Sequence, residues 1–140
     1  MKLTRREWIG LGAGTVAAGL TAPLGSLLAG EEQLATVTVP SSGTVLPAVG
    51  VGTNRYQGAV GSADMAPFRE TLQAFFRFGG RVIDTSPNYG NSEEVLGALL
   101  RETGLRQDAF MATKVDREDG AEGVERMEGS LERLGPPIDL

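Results

Sequence analysis

Gly80-Arg81-Val82-Ile83-Asp84-Thr85-Ser86-Pro87-Asn88-Tyr89-Gly90-Asn91-Ser92-Glu93-Glu94-Val95-Leu96-Gly97 is the stretch on which the fold turns. Its apolar run ends at a carboxylate, so Arg81 to Thr85 reads as a short strand that finishes at Asp84 and Thr85. Ser86 to Gly90 is made of residue types that favour turns. Asn91, with Glu94 three residues on, looks like a capping box. The helix behind it buries Val95, Leu96, Leu99 and Leu100 and stops at Gly104. Strand, loop and helix make one β/α unit.

The same unit recurs on both sides. Upstream, Val49 to Thr53 is a short buried strand. Asp64 can cap a helix running to Phe78, with Pro67 tolerated in its first turn. Phe68, Leu72, Phe75 and Phe76 share one face of that helix, and Gly79-Gly80 ends it. Ahead of it, Ala35 to Val39 and Val45 to Leu46 flank Pro40-Ser41-Ser42-Gly43, a hairpin pattern. Downstream, Ala109 to Lys114 is a third strand, and Asp116 to Glu122 is a charged loop expected to be solvated. Val124, Met127, Leu131 and Leu134 mark a third helix ended by Gly135-Pro136, and Pro137 to Leu140 begins a fourth strand. Arg69, Glu70, Arg101 and Glu102 read as solvated helix faces. Strand and helix alternating three times predict an α/β fold with a parallel sheet covered by helices. Periodicity leaves a doubly wound sheet and an opened barrel equally possible.

The 140 residues are enough for one modest domain, and 41% are hydrophobic. A net charge of −5 argues against a nucleic-acid partner, which needs a basic patch. With no cysteine and no histidine, the chain holds no disulfide, thiolate site or cysteine nucleophile, and neither a zinc-hydrolase site nor a Ser-His-Asp triad. No metal site is expected.

The chain starts Met1-Lys2-Leu3-Thr4-Arg5-Arg6-Glu7-Trp8-Ile9-Gly10, then runs uncharged and rich in Gly and Ala to about Ala29 before Glu31-Glu32. A charged start, an apolar run and a small residue at its end make a signal peptide. The Arg5-Arg6 pair before an aromatic and Ile9 resembles a twin-arginine signal, which implies the twin-arginine export machinery as a partner. Residues 1–30 are read as this signal and 31–140 as the mature part. The expected location is periplasmic or extracellular, with no stable membrane span after cleavage near Ala29. The rival reading is a retained membrane anchor, since the run is about long enough to span a bilayer. Gly12-Ala13-Gly14-Thr15-Val16-Ala17 fits a Gly-x-Gly-x-x-Ala dinucleotide pattern, but no strand precedes it, and it is read as chance.

Asp84 stands at a strand's C-terminal end, Tyr89 five residues later, and Lys114 at the end of the next strand. Neighbouring parallel strands lie about 4.8 Å apart, so Asp84 and Lys114 can point into one site with Tyr89 above them. Barrel enzymes keep their active sites at those strand ends.

Leu46 to Thr53, Gly80 to Gly97, Phe110 to Lys114, Ser130 to Gly135 and Ile138-Asp139-Leu140 resemble, in order and spacing, the aldo-keto reductase family. The resemblance covers nearly all of residues 31–140. It implies a (β/α)8 TIM barrel preceded by a hairpin that covers its bottom. Of that barrel, this chain would hold the hairpin, about three β/α units and the start of strand four. It also implies an oxidoreductase that uses NADP(H), or NAD(H), to interconvert aldehydes or ketones and alcohols, with a small-molecule carbonyl substrate. By the same resemblance Tyr89 is the general acid, Lys114 its supporting lysine and Asp84 the accompanying aspartate. Gly52, Thr53 and Asn54, together with Asp84, lie near the nicotinamide end of the cofactor, although the family usually carries an aromatic where Asn54 stands. The family's catalytic histidine falls a few residues past Leu140. The other reading is a barrel of this fold that binds the cofactor as a sensor or regulatory subunit with little turnover.

Overall fold

In a computed structural model of the protein, residues 34–140 are described. The signal segment read at residues 1–30 lies outside the described residues, as does the dinucleotide-like pattern at Gly12.

Thr36–Thr38 (β1) pairs antiparallel with Val45–Pro47 (β2), Val37 opposite Leu46, as the hairpin pattern predicts. The Val39 carbonyl closes the turn by accepting from the Gly43 N–H at 2.8 Å. Gly50–Gly52 (β3), Val82–Asp84 (β4) and Phe110–Ala112 (β5) then form a parallel sheet in that order, with Val51, Ile83 and Met111 in one row and Gly52, Asp84 and Ala112 in the next. Ala66–Arg77 (α1), Ser92–Thr103 (α2) and Gly120–Leu134 (α3) follow the three strands in turn. Parallel neighbours need such crossovers, and helices supply them. The segment expected to start a fourth strand lies along β5: the Asp139 N–H donates to the Met111 carbonyl at 2.8 Å, and Thr113 N–H to the Leu140 carbonyl at 2.9 Å.

Side chains alternate across a strand, so the two faces of the sheet have different fates. Ile83 and Met111 are fully buried with Leu72, Val95, Leu96, Leu99, Leu100 and Leu134 of the helices, and Val51 packs against them. Helix α1 buries Leu72 and Phe76 and lays Phe68 and Phe75 on the core, the face read from its spacing. Helix α2 is the most buried of the three and comes so close to α3 that a Cβ on Gly97 would overlap the Arg133 carbonyl oxygen.

The helix ends show where local signals were read well and where they were not. Gly79 takes a φ of 87°, which only glycine adopts freely, and this lets the Gly79 and Gly80 N–H groups cap the Phe76 and Phe75 carbonyls at 3.0 and 2.9 Å. Gly104, at φ 71°, ends α2 as its position suggests. Asp64, however, caps nothing: a single 3-10 turn over Ala63–Met65 leads into α1, and neither start has a side-chain cap. Asn91 does sit at the N-cap of α2, but its amide turns away to the backbone of Gly58, so the capping box does not form. Helix α3 starts earlier than its apolar spacing indicates because Asp119 accepts from the Ala121 and Glu122 N–H groups at 2.8 and 3.1 Å. Its Val124 and Met127 remain exposed, while Ser130 and Leu134 are buried. The helix faces read as solvated also hold ties. Arg69 makes two hydrogen bonds to Glu102 across α1 and α2, and Arg101 donates to the Arg133 carbonyl.

Candidate active site

Asp84 ends β4 on the face turned away from the helices, and Lys114, two residues past β5, shares that side by alternation. The Lys114 ammonium lies 2.8 and 2.9 Å from the two Asp84 carboxylate oxygens and donates to the Thr85 carbonyl at 2.9 Å. It also sits 5.3 Å from the centroid of the Tyr89 ring, within cation–π reach. The Asp84 hydrogen bond raises the Lys114 pKa above its ordinary value. Burial opposes this, and the Asp84 charge and Tyr89 add to it. The two side chains keep 44% and 51% of their exposure, so the pair does little for stability and stays open to solvent.

Tyr89 is half-buried on the loop that links β4 to α2. The Ser86 carbonyl accepts from the Tyr89 N–H at 3.0 Å, the Ser86 hydroxyl accepts from the Asn88 N–H at 3.2 Å, and the Tyr89 carbonyl accepts from the Ser92 N–H at 3.1 Å. Of the three residues at the end of β3, Gly52, its last, is exposed, and a Cβ there would meet nothing within 4 Å. Asn54 is exposed, and its carbonyl accepts from the Gln57 amide at 2.9 Å. Thr53 is fully buried. Its N–H and hydroxyl both donate to the Asp84 carbonyl at 3.1 Å, so its side chain is committed to holding β3 against β4.

Behind the site lies a row that sequence reading passed over. Thr53, Thr85 and Thr113 extend the Val51-Ile83-Met111 side of the three strands, and the first residues of α2 tie into Thr53 and Thr113. The Ser92 hydroxyl donates to the Thr53 carbonyl at 2.6 Å. Glu93, only 2% exposed, accepts from the Thr113 hydroxyl at 2.7 Å on one oxygen. Its other oxygen accepts from Ser130 at 3.1 Å and from Arg133 at 2.9 and 2.7 Å. A buried carboxylate is sustained only when it is paired and hydrogen-bonded in this way. A signal was available: Glu93 shares helical spacing with Leu96, Gly97 and Leu100, so it stands on the apolar face of α2. Thr113 precedes Lys114, so the Glu93 network fixes the end of β5 that carries the lysine.

The charged segment after β5 is likewise not simply solvated. The Asp116 carboxylate accepts from the Asn88 amide and from Arg126 Nε at 3.1 Å, and pairs with the Arg117 guanidinium at 3.0 Å. Its carboxyl is held below the usual carboxylate range, mostly by the Asn88 hydrogen bond, then by the charges of Arg117 and Arg126. Arg106, also missed, is buried and donates to the Leu134, Gly135 and Pro137 carbonyls, pinning the end of α3.

A hairpin, then parallel strands and helices in alternation, with a charged pair and a tyrosine at the strands' C-terminal ends, defines the opening units of an α/β barrel. The chain belongs to the aldo/keto reductase family, whose model matches residues 48–137. It is 32% identical over 110 residues to the aldo-keto reductase YhdN of Bacillus subtilis (strain 168), covering 69% of this chain and 33% of that protein. It is 37% identical over 94 residues to 2,5-diketo-D-gluconic acid reductase B of a Corynebacterium species, covering 65% and 31%. A solved aldo-keto reductase structure from Pseudomonas aeruginosa superposes with a TM-score of 0.62 at 29% identity, covering 71% of this chain and 42% of that one. The chain thus spans about a third of the length of the curated relatives it matches. The fold class is the one the resemblance implies, α/β with the first part of a (β/α)8 barrel.

Proposed function

We propose that the protein interconverts aldehydes or ketones and alcohols with a nicotinamide cofactor, NADP(H) or NAD(H), and that Tyr89 is the general acid. The observation that carries this reading is the Lys114 ammonium held on both oxygens of Asp84 and under the Tyr89 ring. When bound, the nicotinamide supplies or accepts the hydride. Every other part falls to this chain's residues. In reduction, negative charge grows on the substrate oxygen, and the Tyr89 phenol delivers a proton to it. The Lys114 ammonium, 5.3 Å from the ring centroid, offsets the negative charge left on the Tyr89 oxygen as the proton moves. Asp84 keeps the lysine charged and aimed. The open space over Gly52, next to the exposed Asn54, fits the approach of a flat ring to the end of β3 beside Asp84. Thr53 serves this contact through its hold on the strand ends. The family's histidine past Leu140 would complete the site. Turnover rests on a closed barrel of eight strands, so activity is a property of the full-length protein.

Tyr89→Phe in the full-length protein tests the reading. The ring stays and one oxygen goes, so folding should be unchanged. Aldehyde reduction with NADPH should fall by roughly 10²–10⁴-fold, the range for general acid–base catalysis. Cofactor affinity should stay within a few-fold. A wild-type rate would reduce Tyr89 to a packed loop aromatic.

We further propose that residues 1–30 direct export of the folded protein by the twin-arginine route, on the strength of Arg5-Arg6 and the uncharged run behind them. Replacing both arginines by lysine should leave the protein in the cytoplasm on cell fractionation. Unchanged export would contradict the assignment.

A further inference from the structure

The Tyr89 ring rides on a short loop, and Asn91 anchors that loop on the β3 side. The Asn91 amide donates to the Gly58 carbonyl at 2.7 Å and accepts from the Gly58 N–H at 3.2 Å. On the β5 side stands a closed ring of hydrogen bonds. Asn88 donates to one carboxylate oxygen of Asp116, Arg126 Nε donates to the other at 3.1 Å, and Arg126 Nη2 donates back to the Asn88 carbonyl oxygen. Three separate segments meet here: the loop after β4, the loop after β5, and α3. Asn88 is the residue before Tyr89, and Asp116 is two residues after Lys114. The ring therefore spans the gap between the backbone that carries the tyrosine and the backbone that carries the lysine.

We propose that Asn88, Asp116 and Arg126 form a positioning clamp that sets Tyr89 over Lys114, and that the clamp acts on the rate through Tyr89 rather than on the stability of the fold. The inference rests on the reading of Tyr89 as the proton donor. Asn88 is exposed, and the Asp116 and Arg126 side chains keep 28% and 24% of their exposure, a setting in which ion pairs add little stability. Geometry is another matter. A displacement of about 1 Å at a reacting group can cost on the order of 10²-fold in rate. None of the three side chains is placed among the catalytic residues.

The ring has a property that makes the test sharp. Exchanging the two residues, Asn88→Asp with Asp116→Asn, re-forms every hydrogen bond with donor and acceptor reversed between positions 88 and 116, and the net charge is unchanged. Either change alone is frustrated. Asn88→Asp sets two carboxylates face to face, and Asp116→Asn leaves one acceptor where two donors need one. In the full-length protein, each single variant should lower kcat for a generic aldehyde by about tenfold or more, as expected for a misplaced donor. KM and the affinity for NADPH should stay within about twofold, because none of the three side chains is among the residues assigned to substrate or cofactor. The exchanged double variant should recover most of the wild-type kcat. In a Tyr89→Phe background, Asn88→Asp should add no further loss, because the group it positions is gone.

Wild-type kcat in both single variants, with Tyr89→Phe still crippled, would overturn the clamp and leave the Tyr89 assignment standing. Failure of the exchange to restore kcat in a folded double variant, or a further loss in the Tyr89→Phe background, would also overturn it. A wild-type rate in Tyr89→Phe itself would remove the reading on which the clamp depends.

Discussion

On one face of the parallel sheet, Ile83 and Met111 disappear beneath the helices, Val51 packs beside them, and Thr53 and Thr113 at the strand ends are tied into α2 by Ser92 and Glu93. On the other face, one residue along β3 and β4, Gly52 is exposed and Asp84 is held by Lys114, two residues past β5, the pair keeping about half of its side-chain surface open, while Ala112 of β5 is buried. The two faces differ by a single step of the pleat, yet the costs of disturbing them differ. A charge on the covered face must be fully satisfied, and Glu93 is, by three side chains. A charge on the open face is screened and adjustable, which would suit the role proposed for Lys114 beside Tyr89. On that proposal, stability and chemistry divide between alternate residues of neighbouring strands, and the helix side holds still what the open side uses.

The largest effect on stability is expected from the covered face. Arg133→Met would leave the Glu93 carboxylate buried without its charge partner. Breaking such a pair costs about 3–5 kcal/mol. Thermal or denaturant unfolding of the full-length variant should show that loss. A change of a few tenths would mean that the covered face tolerates charge as the open face does, and the contrast would fail.

A much smaller effect is expected at Asp116, in the segment after β5. Its folded-state pKa is lowered, so its contribution to stability is present above the ordinary carboxylate pKa of about 3.9 and fades as pH falls through the lower folded value. The melting temperatures of wild type and Asp116→Asn, followed over pH, should differ modestly near neutrality and converge below about pH 4. A gap that persisted at acid pH would show that the network does not depend on the ionised carboxylate.

Much of this contrast could be read from the residues themselves. The β/α alternation, the hairpin, the glycine helix stops and the convergence of Asp84 and Lys114 all follow from periodicity and from turn chemistry, which are local. What escaped depended on partners distant in sequence. Asn91 looks like a cap because a cap needs only its own helix, but Gly58 takes its amide. Asp116 looks solvated because its partners are Asn88, 28 residues back, and Arg126. Val124 and Met127 have the spacing of a buried stripe, but α3 turns only its Ser130 and Leu134 ends into the described core. Glu93 was the legible exception, a charge on an apolar helical face, which by itself implies a buried partner.

The division of labour is tested most directly at Asp84, where Asp84→Asn keeps the shape and removes the charge. The measurement is a paired one on the full-length protein, the unfolding free energy and the rate of aldehyde reduction with NADPH. Stability should move by no more than about 1 kcal/mol, the range for an exposed ion pair. The rate should fall by about 10²-fold or more, because Lys114 loses the partner that aims it at Tyr89. A variant that unfolds readily, or one that reduces the aldehyde at the wild-type rate, would contradict the assignment of the open face to chemistry.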